Sequence, residues 1–166
     1  MVSGTLSAFD VAAATPDPEL PMVTIGDLGI LRSVEHDGDM VVAAITPTYS
    51  GCPAMPEIAH DVRRRLERAG FAEVAVHTVL DPPWTTDWIT ADGRRKLTAA
   101  GIAPPHAAPT RDGAIPLQLL PTRLPVPCPQ CGSAHTTRIA DFAATACRAL
   151  YRCEDCREPF EYVKEL

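Results

Sequence analysis

Two short cysteine pairs carry the clearest chemistry in this chain: "CPQC" at 128–131 and "CEDC" at 153–156, with 21 residues between them. A C-x-x-C turn points two thiolates at one ion, and two such turns joined by a hairpin supply a tetrahedral shell of four sulfurs. The intervening "SAHTTRIADFAATACRALYR" is long enough for two strands and a turn, so the spacing predicts a zinc ribbon with Cys128, Cys131, Cys153 and Cys156 as ligands. Iron in a rubredoxin-like shell is the competing occupant, because a tetrahedron of sulfurs does not select its metal. Four cysteines with no spare ligand make a closed site, which favours a structural or protein-docking role over catalysis. Cys147 lies six residues before Cys153, about 20 Å along a strand. It is expected to pack as a small hydrophobe rather than act as a fifth ligand.

The sixth cysteine stands apart, in "TPTYSGCPAMPE" at 46–57. Cys52 falls where an apolar strand gives way to a helical pattern, at or just before the first turn; Pro53 suits a first helical position, and Pro56 fits the same turn or places the start slightly later. The N–H groups and positive dipole end of a helix favour thiolate over thiol. Hydroxyls of Thr46, Thr48, Tyr49 and Ser50 stand nearby in sequence, and Gly51 leaves room for a ligand. A nucleophile would need a base, but His60 is two helical turns away and His77 lies on a strand face opposite Val74 and Val76. A soft-metal ligand needs no base and can be completed by a second subunit. That is the preferred reading of Cys52; a packed core cysteine and a nucleophile are the alternatives.

The elements that must hold these residues read as follows. "TLSAFDVAAA" at 5–14 forms a short helix ended by Pro16 and Pro18, and "TPDPELP" forms a turn. "ILRSVEH" and "MVVAAIT" are strands joined at Asp37-Gly38-Asp39, a hairpin signal. Apolar residues Met55, Ile58, Ala59, Val62, Leu66 and Ala69 recur at helical spacing over 53–69, with Gly70 at the stop. "EVAVHTVL" at 73–80 is a third strand, its apolar side formed by Val74, Val76, Thr78 and Leu80. The expected fold is α+β: helices on one face of a mostly antiparallel sheet, followed by the β ribbon. A helix is expected near 87–100, where Trp84 and Trp88 would share a face as a docking patch or as packing. Seven prolines between 104 and 127 mark an extended linker. The expected domains are therefore 1–83, a Trp-containing extension at 84–103, a linker at 104–127 and a ribbon at 124–166.

Composition narrows the partners. A net charge of −6 argues against a nucleic-acid binder, and residues 124–166 hold five basic and six acidic side chains, so the ribbon has no assured basic face. No run of about 20 apolar residues predicts a membrane span. The N-terminus lacks Lys or Arg before Arg32, so no secretory signal is expected; a cytoplasmic location, with reduced thiols, is the reading that follows.

"DPELP", "GDLGIL" and "ITPTYSGCP" resemble the SufT-like family of small iron–sulfur assembly proteins over about residues 5–83. "PPWTTDWIT", "GRRKL", "GIAPP", "CPQCGS" and "TACRALYRC" extend the resemblance to the PaaD-type accessory subunits of bacterial phenylacetyl-CoA epoxidase systems. That resemblance implies a non-catalytic role in supplying iron or iron–sulfur centres to the di-iron ring epoxidase of aerobic phenylacetate breakdown. It assigns cluster handling to Cys52 and matches Asp17 and Glu19, which also suit turn and cap carboxylates. The implied partners are the oxygenase and reductase components, the iron–sulfur assembly machinery and a possible second copy of the chain. A purely structural epoxidase subunit is the main alternative; a zinc-ribbon nucleic-acid module is a lesser one.

Overall fold

The computed structural model describes residues 7–106 and 124–165. The chain divides into two compact units, Met1–Lys96 and Leu97–Glu165.

The first unit begins with α1 (Ala8–Ala13), started by a reciprocal capping box: Asp10 N–H donates to Ser7 Oγ, and Ser7 N–H to Asp10 Oδ2. After the "DPELP" turn come β1 (Leu31–Asp37) and β2 (Met40–Ile45), antiparallel, with Asp37 opposite Met40 across the two-residue Gly38-Asp39 loop. Gly38 takes a φ of 63°, which a side chain would resist. α2 (Met55–Arg68) buries Ile58, Val62 and Leu66 along one stripe and leaves Arg63, Arg64 and Arg68 outside. It ends in a Schellman motif, in which Phe71 N–H reaches Leu66 C=O and Gly70 N–H reaches Glu67 C=O.

α2 leads into β3 (Glu73–Thr78), which pairs parallel to β2 with Val41 opposite Val74 and Ala43 opposite Val76. The sheet order is β1-β2-β3. The α+β class is as expected, but this sheet is mixed: a helical crossover between neighbouring strands makes the β2–β3 pair parallel. Val41, Ala43 and Ile45 bury one face of the central strand. β3 stops at Thr78, and Leu80, expected on its apolar side, is 67% exposed.

The helix expected near 87–100 is shorter and divided. A 3₁₀ turn covers Thr86–Trp88, and α3 runs Ala91–Ala99. Trp84 therefore lies outside any helix and shares no helical face with Trp88. It is buried, with its indole N–H donating to Leu28 C=O at 2.9 Å, while Trp88 lies under the Arg32 guanidinium at 3.3 Å. These are packing contacts within the first unit. The start of α3 is held there too: Lys96 Nζ binds Asp27 Oδ2 at 2.8 Å, and Asp27 C=O accepts the Thr90 N–H.

The second unit holds a four-stranded sheet of order β4-β7-β6-β5, formed by β4 (Ile102–Ala103), β5 (Thr136–Ala140), β6 (Arg148–Cys153) and β7 (Pro159–Val163). β5, β6 and β7 form an antiparallel meander, and β4 joins β7 in parallel. One buried cluster joins Ala103, Val126, Cys128, Cys153, Phe160 and Tyr162. Ala103, the last residue of the expected extension, and Val126, where the expected linker and ribbon overlap, both pack here. The remainder of the Pro-rich stretch, 107–123, lies outside the described residues.

Candidate metal centre

Each C-x-x-C pair closes a tight turn. In the first, Gly132 N–H donates to Cys128 C=O at 2.8 Å and Cys128 N–H to Ser133 C=O at 2.9 Å, with Gly132 at a φ of 75°. In the second, Cys156 N–H points at Cys153 Sγ, 3.5 Å away, and Arg157 takes a φ of 68°. Pairing of Thr136 with Cys153 places the end of β6 beside the start of β5.

The sulfurs of Cys128 and Cys156 are 3.7 Å apart, those of Cys131 and Cys153 are 3.6 Å apart, and all four lie within 4.8 Å of one another. A tetrahedron with metal–sulfur bonds of ~2.3 Å has edges of ~3.8 Å, so the spacing fits one metal ion and is far too long for disulfides. The chemistry of the thiols agrees. Cys153 is drawn down to about 7, first by the Cys156 N–H and then, against desolvation, by the Asp155 N–H and the neighbouring thiols. The Glu158 N–H works to lower Cys156, but desolvation and the adjoining thiols carry it to about 12. A cation is what lets four such sulfurs ionise together.

Cys128 and Cys153 are buried, Cys156 half-buried and Cys131 exposed. Ser133 and Asp155 bridge the two turns through a 2.5 Å hydrogen bond, and His135 Nδ1 stands 3.5 Å from Asp155. This brace escaped the sequence reading; a serine two residues beyond the first pair and an acid inside the second were its only signs. Cys147, at the far end of β6, lies outside the sulfur cluster and sits 3.1 Å from Thr145 Oγ1; it is half-buried rather than fully buried.

The Cys52 turn is built differently. Cys52 N–H donates to Tyr49 C=O, Gly51 takes a φ of 85°, and Met55 N–H reaches back to Cys52 C=O. α2 starts at Met55 with Pro56 in its opening turn, and Ala54 is its N-cap without a side-chain bond. Cys52 therefore sits two residues ahead of the cap, just before the first helical turn. The residue is half-buried. Asp17 is buried, with Oδ1 accepting the N–H groups of Glu19 and Leu20 at 2.9 and 2.8 Å, the turn role open to it from sequence. His60 and His77 are exposed. Among the described residues the four ribbon cysteines are the one group of three or more His, Cys, Asp or Glu donors close enough to share an ion; Asp17, Glu19 and Cys52 do not make another. No helix of the described residues is long and apolar enough to cross a membrane.

An α+β unit followed by a four-sulfur ribbon makes this a two-module protein with one candidate metal centre. Residues 14–80 match the family described as "Iron-sulfur cluster assembly protein", and residues 115–164 match the "PaaD zinc beta ribbon domain". The chain is 48% identical over 149 residues, 90% of its own length and 86% of the relative's, to a subunit of the "Putative 1,2-phenylacetyl-CoA epoxidase" of Escherichia coli (strain K12). It is also 38% identical over 73 residues (43% of this chain, 71% of the relative) to the "Fe-S protein maturation auxiliary factor YitW" of Bacillus subtilis (strain 168). The crystal structure of a "Domain of Unknown Function DUF59" from Bacillus anthracis superposes with a TM-score of 0.50 at 30% identity, over 54% of this chain and 87% of that one. The chain belongs to the PaaD-type family.

Proposed function

We propose that this protein is a non-catalytic accessory factor for iron or iron–sulfur centre assembly in a multicomponent phenylacetyl-CoA ring epoxidase, with Cys52 as a transient metal or cluster ligand. The observation that carries the reading is the joining, in one chain, of an iron–sulfur-assembly domain that contains Cys52 to a closed four-sulfur ribbon. The relatives' names supply the substrate system: one is named for the epoxidase, another for iron–sulfur protein maturation.

The division of labour follows from donor count. The ribbon cysteines hold zinc permanently, as a structural ion in place of a larger core. Cys52 offers one sulfur, without a three-donor set around it, so an iron or cluster there draws its other ligands from a partner or a second copy of the chain. That arrangement favours release over retention. Asp17 serves the turn that precedes this region, and Glu19 is the weaker candidate for a contact to metal. The partners are the oxygenase and reductase components of the epoxidase and the assembly machinery that supplies iron, in the cytoplasm.

The test is to mature the epoxidase components together with wild-type protein or with Cys52→Ala, then measure iron content and epoxidation. The expected result is an iron-poor, inactive oxygenase with the variant while its ribbon zinc stays at wild-type level. Full metallation with Cys52→Ala would replace this reading with a scaffold role. The scaffold reading has its own support in the small donor set around Cys52, and it predicts stable, stoichiometric copurification with the oxygenase.

A further inference from the structure

The four ribbon sulfurs divide by burial as well as by turn. Cys128 and Cys153, one from each turn, are buried in the cluster with Val126, Phe160 and Tyr162, so the core holds that half of the shell together. Cys131 and Cys156, again one from each turn, are the accessible half: Cys131 is exposed, and Cys156 is half-buried against the cluster. Side chains that adjoin this half in sequence join the two turns. Ser133, two residues after Cys131, donates its hydroxyl at 2.5 Å to Oδ2 of Asp155, which directly precedes Cys156. His135 N–H donates to Ser133 Oγ at 3.0 Å, which leaves the hydroxyl's own proton for the carboxylate. Both ends are anchored to the turns by backbone bonds. Ser133 C=O accepts the Cys128 N–H at 2.9 Å, and Glu154 N–H donates to His135 C=O at 2.8 Å.

We propose that Ser133 and Asp155 are positioning residues for the ribbon metal: their hydrogen bond ties the accessible ligands Cys131 and Cys156 together and slows the exit of the ion. A closed four-sulfur shell opens when the sulfurs of one turn part from those of the other. The buried pair resists that through the core. At the accessible pair, the same separation breaks the Ser133–Asp155 bond, a hydroxyl on a carboxylate and so stronger than a neutral pair. An effect of charge alone would run the other way. A divalent ion with four thiolates carries net negative charge, so Asp155 acting only as a nearby anion would weaken the shell, and its removal would slow metal loss. The bond and the charge predict opposite signs for one substitution. The inference rests on the reading that the ribbon holds metal, and not on Cys52.

The experiment loads the full chain with zinc under reducing conditions and follows zinc transfer to excess EDTA. Ser133→Ala and Asp155→Ala should each release zinc about threefold to tenfold faster than wild type. The double variant should be no more than about twofold faster than the quicker single one, because both substitutions break the same bond. Ser133→Thr keeps the hydroxyl and should keep the wild-type rate. Asp141→Ala removes a comparably exposed acid, paired with Arg138 beyond the end of β5, and should also leave the rate unchanged. The same variants loaded with cobalt should all show the bands of a tetrahedral sulfur site. Unchanged or slower release in both alanine variants, effects that multiply in the double variant, or an equal acceleration in Asp141→Ala would overturn the proposal. So would loss of the cobalt bands in Ser133→Ala, which would make the brace part of the fold rather than a restraint on exit. A wild-type chain that takes up neither metal would overturn the metal reading of the ribbon and this proposal with it; normal uptake with unchanged rates would overturn this proposal alone.

Discussion

At the ribbon, four sulfurs within 4.8 Å of one another are fixed by two turns, two of them buried in a six-residue cluster. At the Cys52 turn, a single half-buried sulfur precedes a helix whose hydrophobic stripe packs without it. The first arrangement makes metal part of the fold, since Cys128 and Cys153 are core residues as well as ligands. The second places the sulfur outside the stripe that α2 buries. If Cys52 hands metal on as proposed, retention and transfer differ in how many donors are preassembled and in how much folding energy depends on them.

The largest effect should come from taking metal out of the ribbon. Structural zinc contributes ~10 kcal/mol or more of apparent folding energy in small sulfur-ligated modules. Chelation, or Cys153→Ser, is expected to collapse the NMR dispersion of residues 124–165 while residues 7–90 keep theirs. Acid should do the same: thiolates bind the metal, protons compete for them as pH falls, and metal is therefore held at neutral pH and released on acidification. A ribbon that keeps its dispersion in chelator would erase the contrast between the two regions.

How much of this was legible depends on whether the controlling contacts are local. The four ligands could be read because a C-x-x-C turn is set by its own few residues. The α2 stripe of Ile58, Val62 and Leu66 was legible from spacing, as was the Gly38 loop. The start of α2 stayed open in the sequence because Pro53 and Pro56 both suit an opening turn; the helix begins at Met55, with Pro56 in its first turn. The Trp84–Trp88 pairing failed because Trp84 answers to Leu28, 56 residues away. β4 has two residues and exists only through its pairing with β7, so no periodicity could announce it. The Ser133–Asp155 brace likewise arises from a long-range contact, between residues 22 apart.

Next in size is the Asp27 anchor of the first unit. Desolvation tends to raise this carboxyl, but the Lys96 ammonium and the Thr24 N–H outweigh it and hold it below the usual range. A depressed folded-state value means the stabilisation is fully present above the unfolded carboxyl value of ~3.9 and is lost as pH falls through the folded one. Asp27→Asn should cost about 1–2 kcal/mol at pH 7, with Lys96 partly solvated, and the gap from wild type should close in strong acid. Urea denaturation across pH, followed on first-unit signals, measures it. Trp84→Phe removes the bond to Leu28 and should cost about 1 kcal/mol by the same assay; a loss as large as that of ribbon metal would show the first unit to be no more self-sufficient than the second.

Smallest in stability, and sharpest for the comparison, is Cys52→Ser. The side chain is half-buried and lies outside the Ile58–Val62–Leu66 stripe, and its backbone bonds to Tyr49 and Met55 survive the change. Stability should move by no more than about 0.5 kcal/mol, and ribbon metal content should not move at all. The oxygen of serine is a hard, weak ligand where thiolate is soft, so iron acquired under anaerobic loading should fall to background. If instead the variant unfolds the first unit, Cys52 is a packing residue and the contrast between a retained and a transferred metal has no second member. If stability and iron binding both stay at wild-type values, the sulfur is idle and the metal chemistry of the chain belongs to the ribbon alone.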